Sequence, residues 1–199
     1  EIYTIFSSQQ LELKSYNRVV GFSKKAIELS SNSATAYFNR GLANFHLKEY
    51  SLAIQDYSES LKYLPEDSKD KDKIYNYRGN AYREIQDYEN AIQDYSAAIR
   101  INPNRHIYFT NRAYLHGILN NTLNEVKDYT QSIKLNPNNA LAFNNRGVAY
   151  RKLGDYEKSI EDYNEALRLE PDFMEALNNR GFTHRLIENY SEAKKDFEK

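Results

Sequence analysis

The chain is expected to be all-α, a stack of antiparallel helix pairs, and three observations predict it. A short motif recurs at Asn39-Arg40-Gly41, Asn111-Arg112-Ala113, Asn145-Arg146-Gly147 and Asn179-Arg180-Gly181, with Tyr77-Arg78-Gly79 as a variant lacking the Asn. From Gly79 to Gly181 the small residue returns every 34 residues, whereas the step from Gly41 to Gly79 is 38. All four prolines, Pro65, Pro103, Pro137 and Pro171, fall at one phase of this period. A fixed period of this size marks one supersecondary unit, repeated so that each copy buries its apolar face against its neighbours.

The stretch from Ala140 to Phe173 shows what each element is for. Ala142, Phe143, Gly147, Val148 and Tyr150 space small and apolar residues as on one helix. Leu153-Gly154-Asp155-Tyr156 interrupts it, with a glycine able to take positive φ after a helix. Ile160, Tyr163, Ala166, Leu167 and Leu169 continue the spacing on a second helix, and Pro171 ends it because proline cannot extend a helix.

Size complementarity accounts for most of the remaining pattern. Gly41, Gly79, Ala113, Gly147 and Gly181 on the first helices allow close approach, faced by Ala53, Ala91, Ser159 and Ala193 on the second. Bulky residues fill the gaps at two phases: Tyr50, Tyr88, Tyr156 and Tyr190, and then Tyr57, Tyr95, Tyr129, Tyr163 and Phe197. These rings are expected in the core with their hydroxyls reaching the rim.

Taken together, the Tyr or Phe before Gly on the first helix, the Ala-x-x-x-Tyr second helix and the Ala-Leu-x-Leu-x-Pro ending resemble the tetratricopeptide repeat, a helix–turn–helix unit. The resemblance covers essentially the whole chain, with repeats at about 34–67, 72–105, 106–139, 140–173 and 174–199 and a divergent one at about 1–33, carried by Tyr16, Val19, Ala26, Ile27 and Leu29. It implies a right-handed superhelical solenoid of about six units forming a single array over 1–199. The chain begins at Glu1 without Met and ends inside the last repeat at Lys199, as expected of a piece of a longer protein with a truncated final unit.

Composition bounds the function. A net charge of −1, from 27 basic and 28 acidic residues, provides no overall field for nucleic acid or an anionic membrane. There are no cysteines, so thiolate metal sites, disulfides and a cysteine nucleophile are excluded. No apolar run reaches membrane length, and no phosphate loop, nucleophile elbow or carboxylate pair suggests an enzyme. His46, His106, His116 and His184 lie at unrelated phases, without ligand spacing, so neither metal nor cofactor is expected.

Two segments depart from the repeat. Residues 66–73 alternate charges around an insertion at about 68–71, suggesting a solvated loop or a short helix extension. In Asn120-Asn121-Thr122-Leu123-Asn124-Glu125 the turn Gly and Tyr are replaced, and Glu125 stands where sibling repeats carry Ala or Ser. A looser helix pair is expected there, with Glu125 at the edge rather than in the core.

Three sets of residues compete for function. Arg40, Arg78, Arg112, Arg146 and Arg180 are each followed 16 residues later by Asp56, Asp94, Asp128, Asp162 and Asp196. Joint recurrence makes them structural bridges, within a hairpin or to its neighbour, rather than an anion-binding row. Asn39, Asn111, Asn145 and Asn179 are poor helix formers that need an offsetting role. They could bond the adjacent repeat, or form the asparagine ladder that the resemblance implies along a concave face, where one carboxamide offers both donor and acceptor to a peptide main chain.

In that family first helices build the concave wall, which here would hold Phe38, Leu42 and Phe45; Asn76, Asn80 and Arg83; Ile107 and Tyr114; Asn144, Arg151 and Lys152; and Arg185. Phe38, Leu42 and Phe45 would form an apolar patch if exposed, and would be core if covered by a neighbouring repeat. The family's carboxylate clamp is absent: in the best-placed frames its charged positions fall on Lys73 with Tyr77, Leu141 with Asn145 and Ile107 with Asn111. The expected function is a protein-interaction scaffold binding an extended or helical peptide segment, with Arg151, Lys152 and Arg185 favouring acidic residues nearby. A targeting arm of a larger enzyme such as a glycosyltransferase, or self-association through exposed repeat ends, are the alternatives.

Overall fold

The computed structural model describes residues 15–199, and every regular element among them is an α-helix. Contacts divide the chain after Pro103. The first unit contains α1 (Tyr16–Leu29), α2 (Ala34–His46), α3 (Tyr50–Tyr63), α4 (Lys71–Glu84) and α5 (Tyr88–Ile101). The second contains α6 (His106–Ile118), α7 (Thr122–Leu135), α8 (Ala140–Lys152), α9 (Tyr156–Leu169), α10 (Met174–Leu186) and α11 (Tyr190–Phe197). Consecutive helices pack as pairs, α2 with α3, α4 with α5, α6 with α7, α8 with α9 and α10 with α11. The first helix expected for the repeat at about 1–33 lies outside the described residues; its second, α1, packs on α2.

Each pair turns through the same cap. In the first, Lys48 N–H donates to Phe45 O at 3.0 Å and Glu49 N–H to Asn44 O at 2.8 Å, the two bonds of a Schellman motif. The same pair of bonds closes the turns at Gln86-Asp87, Asn120-Asn121, Gly154-Asp155 and Glu188-Asn189. The motif requires a left-handed residue, and Lys48, Gln86, Asn120, Gly154 and Glu188 take φ of 65°, 63°, 57°, 79° and 61°. Glycine holds that place only at Gly154, so the turn geometry is imposed by the cap and not by the residue.

The small residues of the first helices sit under the aromatic rings of the second. A Cβ at Gly41, Gly79 or Gly147 would lie 2.8 Å from a ring carbon of Tyr57, Tyr95 or Tyr163, and at Gly181 the same distance from Phe197. Beside these contacts, each recurrent arginine grips its aspartate with two nitrogens inside its own hairpin: Arg78 to Asp94 at 2.8 and 2.8 Å, Arg112 to Asp128 at 2.7 and 2.8 Å, Arg146 to Asp162 at 2.8 and 2.7 Å. Arg40–Asp56 and Arg180–Asp196 repeat the arrangement. Nη1 of Arg78, Arg146 and Arg180 then donates to Ser58, Thr130 and Asn164, each on the second helix of the preceding pair. The Arg–Asp bridges are thus internal to each hairpin, and these arginines reach the preceding pair through neutral acceptors.

Two expectations are corrected here. Tyr57 and Tyr163 do not carry their hydroxyls to a wet rim: both oxygens are buried, Tyr57's without a hydrogen-bond partner, and burial raises both phenols, Tyr57 well above its ordinary range. The charged stretch before α4 is not wholly solvated either. Asp72 is buried, accepting from Asn102 Nδ2 at 2.9 Å and from Lys73 N–H at 2.6 Å, which ties the start of α4 to the end of α5.

Candidate functional site

The 34-residue period brings corresponding positions of the first helices onto one face. In the second unit these are Ile107, Asn111, Tyr114 and Ile118 on α6, then Leu141, Asn145, Val148 and Lys152 on α8, then Asn179, Phe182 and Leu186 on α10. Their spacing of four, three and four residues keeps each set on one helical stripe. Tyr114 is 50% exposed, and Ile107, Ile118, Leu141, Phe182 and Leu186 are also exposed. Single exposed apolar residues need no explanation, but a set on one face does.

The asparagines between them are part of a hydrogen-bond relay. Arg151 Nη1 donates to Asn179 Oδ1 at 3.4 Å and to its carbonyl at 3.3 Å, and Asn179 Nδ2 to Asn144 Oδ1 at 3.0 Å. Asn144 Nδ2 donates to Asn145 Oδ1 at 3.1 Å, and Asn145 Nδ2 to the Tyr129 hydroxyl at 3.3 Å. The amides link α7, α8 and α10, as the reading of bonds to an adjacent repeat expects, and Asn145 and Asn179 each use one of two amide protons in these bonds. Asn144 is buried and acts as the relay's middle member.

A cavity of about 260 Å³ opens on this face between α6, α7 and α8, lined by Tyr114, Gly117, Ile118, Glu125, Tyr129, Asn145, Val148 and Lys152. At its base lies Glu125, and here the edge position expected from sequence is wrong. Glu125 is 5% exposed, because Gly117 across the pair makes room: a Cβ at Gly117 would come within 2.5 Å of Glu125 Oε1. The pair α6/α7, expected to be looser, keeps its Arg112–Asp128 bridge intact. Lys152 Nζ donates to Glu125 Oε2 at 3.2 Å, while its own side chain remains 39% exposed. Burial pushes the Glu125 carboxyl above its ordinary value, with Lys152 pulling it back down.

The sequence did contain a signal for this site. Where Gly117 stands, sibling repeats carry Phe45, Arg83, Arg151 and Arg185; where Glu125 stands they carry Ala53, Ala91, Ser159 and Ala193. Large and small are exchanged together in one repeat, which only a column-by-column comparison of both helices reveals.

Other residues named from sequence are placed differently. In the first unit Phe38, Leu42 and Phe45 are half-buried against Ala53, Tyr57, Ile74 and Ala81, so they form core and no open patch. Asn39 is buried, and Asn80 Oδ1 accepts from the Tyr95 hydroxyl at 2.7 Å. Asn76 is half-buried on α4, and Arg83 pairs with Glu84 at 2.8 Å. In the second unit the guanidiniums of Arg151 and Arg185 lie over the Phe182 ring at 5.1 and 4.8 Å from its centre. Among the described residues no three His, Asp or Glu side chains cluster as metal ligands would, and no helix is long and apolar enough to cross a membrane.

Comparisons with known proteins agree with this architecture. The tetratricopeptide repeat family matches residues 34–67, 72–105 and 140–173. Protein SGT1 homolog of Bos taurus is 36% identical over 50 residues, 25% of this chain, and that stretch spans only 15% of the relative's length. The C-terminal part of a repeat-containing protein from Cytophaga hutchinsonii superposes with a TM-score of 0.88 at 19% identity, covering 98% of this chain and 76% of that one. YrrB, described as having an unusual peptide-binding site, superposes with a TM-score of 0.77 at 23% identity over 88% of both chains. MamA gives a TM-score of 0.77 at 20% identity, covering 84% of this chain and 90% of its own.

Proposed function

Because the chain belongs to the tetratricopeptide repeat family, we propose that it is a protein-interaction scaffold whose second unit binds a peptide segment across α6, α8 and α10. The observation that carries this reading is the shared stripe of exposed apolar side chains, interrupted at its centre by carboxamides with donors to spare. An extended segment needs both: apolar depressions for alternate side chains and fixed polar groups for its main chain. Tyr114 and Phe182 provide the apolar walls, and Asn145 and Asn179 the main-chain partners. YrrB, with its peptide-binding site on the same fold, is consistent with this use of such a unit. Recognition is the whole of the proposed mechanism.

Panning a phage-displayed random peptide library on the chain tests the proposal. Selected peptides, resynthesised, are expected to lose about tenfold in affinity for Tyr114→Ser, since burying an aromatic anchor is worth at least that much, while the melting temperature stays unchanged. Failure to enrich any sequence, or equal affinity for the Tyr114→Ser variant, would overturn it.

A further inference from the structure

The Glu125 cavity asks for an explanation that the fold does not provide. Four sibling repeats fill the same position with Ala53, Ala91, Ser159 and Ala193, so a helix pair closes without a carboxylate there. A buried carboxylate with a single ammonium partner costs stability compared with a small apolar residue. That cost is accepted in the one repeat that also opens Gly117 beside it, and the result is a cavity and not a filled core.

We infer that this cavity receives one cationic side chain, a guanidinium or ammonium, from the peptide that the second unit binds. The inference rests on the reading of that face as a peptide surface and adds the chemistry of one guest.

Size, charge and geometry each narrow the guest. At about 260 Å³ the space is smaller than the roughly 300–1,000 Å³ of sites for whole small molecules, and it suits a single side chain. Its walls, Tyr114, Ile118 and Val148, suit an aliphatic stem, and Tyr114 brings an exposed aromatic ring to the lining. Glu125 lies at the base, held by the packing of α7 against Gly117. Lys152 closes the cavity from the other side through one contact of 3.2 Å to Oε2.

Exchange is the proposed mode of entry. Lys152 keeps 39% of its side chain in solvent, so its ammonium can return to water with little loss when a guest cation takes its place. An arriving guanidinium can engage both carboxylate oxygens where the lysine engages one. An acidic guest would meet a buried carboxylate, and a neutral one would gain only the walls. The expectation that Lys152 favours acidic residues is thereby reversed: it is the resident cation, and the site selects its own kind.

The test uses the full chain and a probe with no peptide main chain, n-butylguanidinium, beside its neutral isostere n-butylurea. Amide chemical shifts of Gly117, Ile118 and Val148 report occupancy. Butylguanidinium is expected to bind roughly tenfold tighter than butylurea, the worth of a charge-assisted hydrogen bond in a partly desolvated site. Glu125→Gln should abolish that preference, and Lys152→Met should tighten butylguanidinium binding severalfold by removing the competitor. Should Glu125→Gln prove poorly folded, Lys152→Met alone decides, because unchanged or weaker cation binding there contradicts exchange. Equal affinity for the two probes, or a preference that survives Glu125→Gln, overturns the inference. If peptides are selected by the chain but butylguanidinium does not bind, this inference falls and the peptide surface stands. If butylguanidinium binds but no peptide is enriched, the cavity's chemistry stands and the peptide surface falls.

Discussion

Replacing the left-handed residues of the turns by glycine should stabilise the chain, and the gain can be worked out position by position. Lys48, Gln86 and Glu188 hold φ of 65°, 63° and 61° with exposed side chains that make no hydrogen bond or ion pair. An L-residue in this region costs roughly 1–2 kcal/mol through the clash of its Cβ with the following carbonyl. Glycine removes that clash but loses about 0.5–1 kcal/mol more backbone entropy on folding. The difference is a gain of about 0.5–1 kcal/mol per site. The three sites lie in different turns, share no partner, and should add to about 1.5–3 kcal/mol in the triple variant. At Asn120 the gain should be smaller, because asparagine tolerates the left-handed region better. The reverse change, Gly154→Gln, should cost a similar 0.5–1 kcal/mol. Urea titration followed by circular dichroism gives the readout, as a shift of midpoint at constant slope. A lower midpoint for Gln86→Gly, or no loss for Gly154→Gln, would show that the caps store no left-handed strain, and the reasoning would fail.

Further changes test the packing, the bridges and the buried charge. Gly147→Ala should destabilise by about 1–3 kcal/mol despite alanine's better helix propensity, because its Cβ would meet the Tyr163 ring at 2.8 Å and the Ser159 carbonyl at 3.1 Å; unchanged urea stability would show that the ring can move aside. Arg146→Ala should cost about 3 kcal/mol by stranding the buried Asp162, and most of it should return when Asp162→Leu is added, a pattern that a thermodynamic cycle reads directly. Glu125, held above its ordinary 4.5 by burial, takes up a proton more readily in the folded chain, so its contribution is most favourable below the unfolded value and is lost as pH rises through the folded one. Glu125→Gln should therefore gain on the parent chain between about pH 4 and about pH 7, with Lys152 the facing cation and Tyr129 and Tyr114 beside it; a constant or shrinking difference in melting temperature contradicts this.

The helix pairs were legible from sequence because their signals are local and repeated: the proline phase, the small residues and the 16-residue Arg/Asp spacing each name a contact inside one hairpin. What was harder to read depends on two helices at once. Glu125 was expected at an edge because a buried carboxylate costs energy, and Gly117, which makes the burial sterically possible, belongs to the partner helix. The asparagines need compensation inside a helix, and for Asn145 and Asn179 it comes from other side chains. Asn145 answers Asn144 and Tyr129, and so Asn145→Ala should lower stability by about 1 kcal/mol where propensity alone predicts a small gain. The Phe38, Leu42 and Phe45 trio shows the same limit, since its burial depends on Ile74 and Ala81 of the following pair.

The closure of each Arg–Asp bridge within its own hairpin bears on how such a gene can lengthen or shorten. Excising one hairpin, or copying it in tandem, removes or adds each bridging arginine together with its aspartate, so no such bridge is left half-made. The joints themselves are made by Ser58, Thr130 and Asn164, hydroxyls and a carboxamide that accept from whichever guanidinium follows. Unequal recombination at the proline phase would thus yield products with every Arg–Asp bridge complete in a single step. The pair Lys152–Glu125 crosses between hairpins, and the cluster Asn144–Asn145–Asn179 is a larger exception, because it ties two successive hairpins together through several particular residues. A crossover there should be tolerated least, which makes the α8/α10 junction the part of the second unit least free to be shuffled.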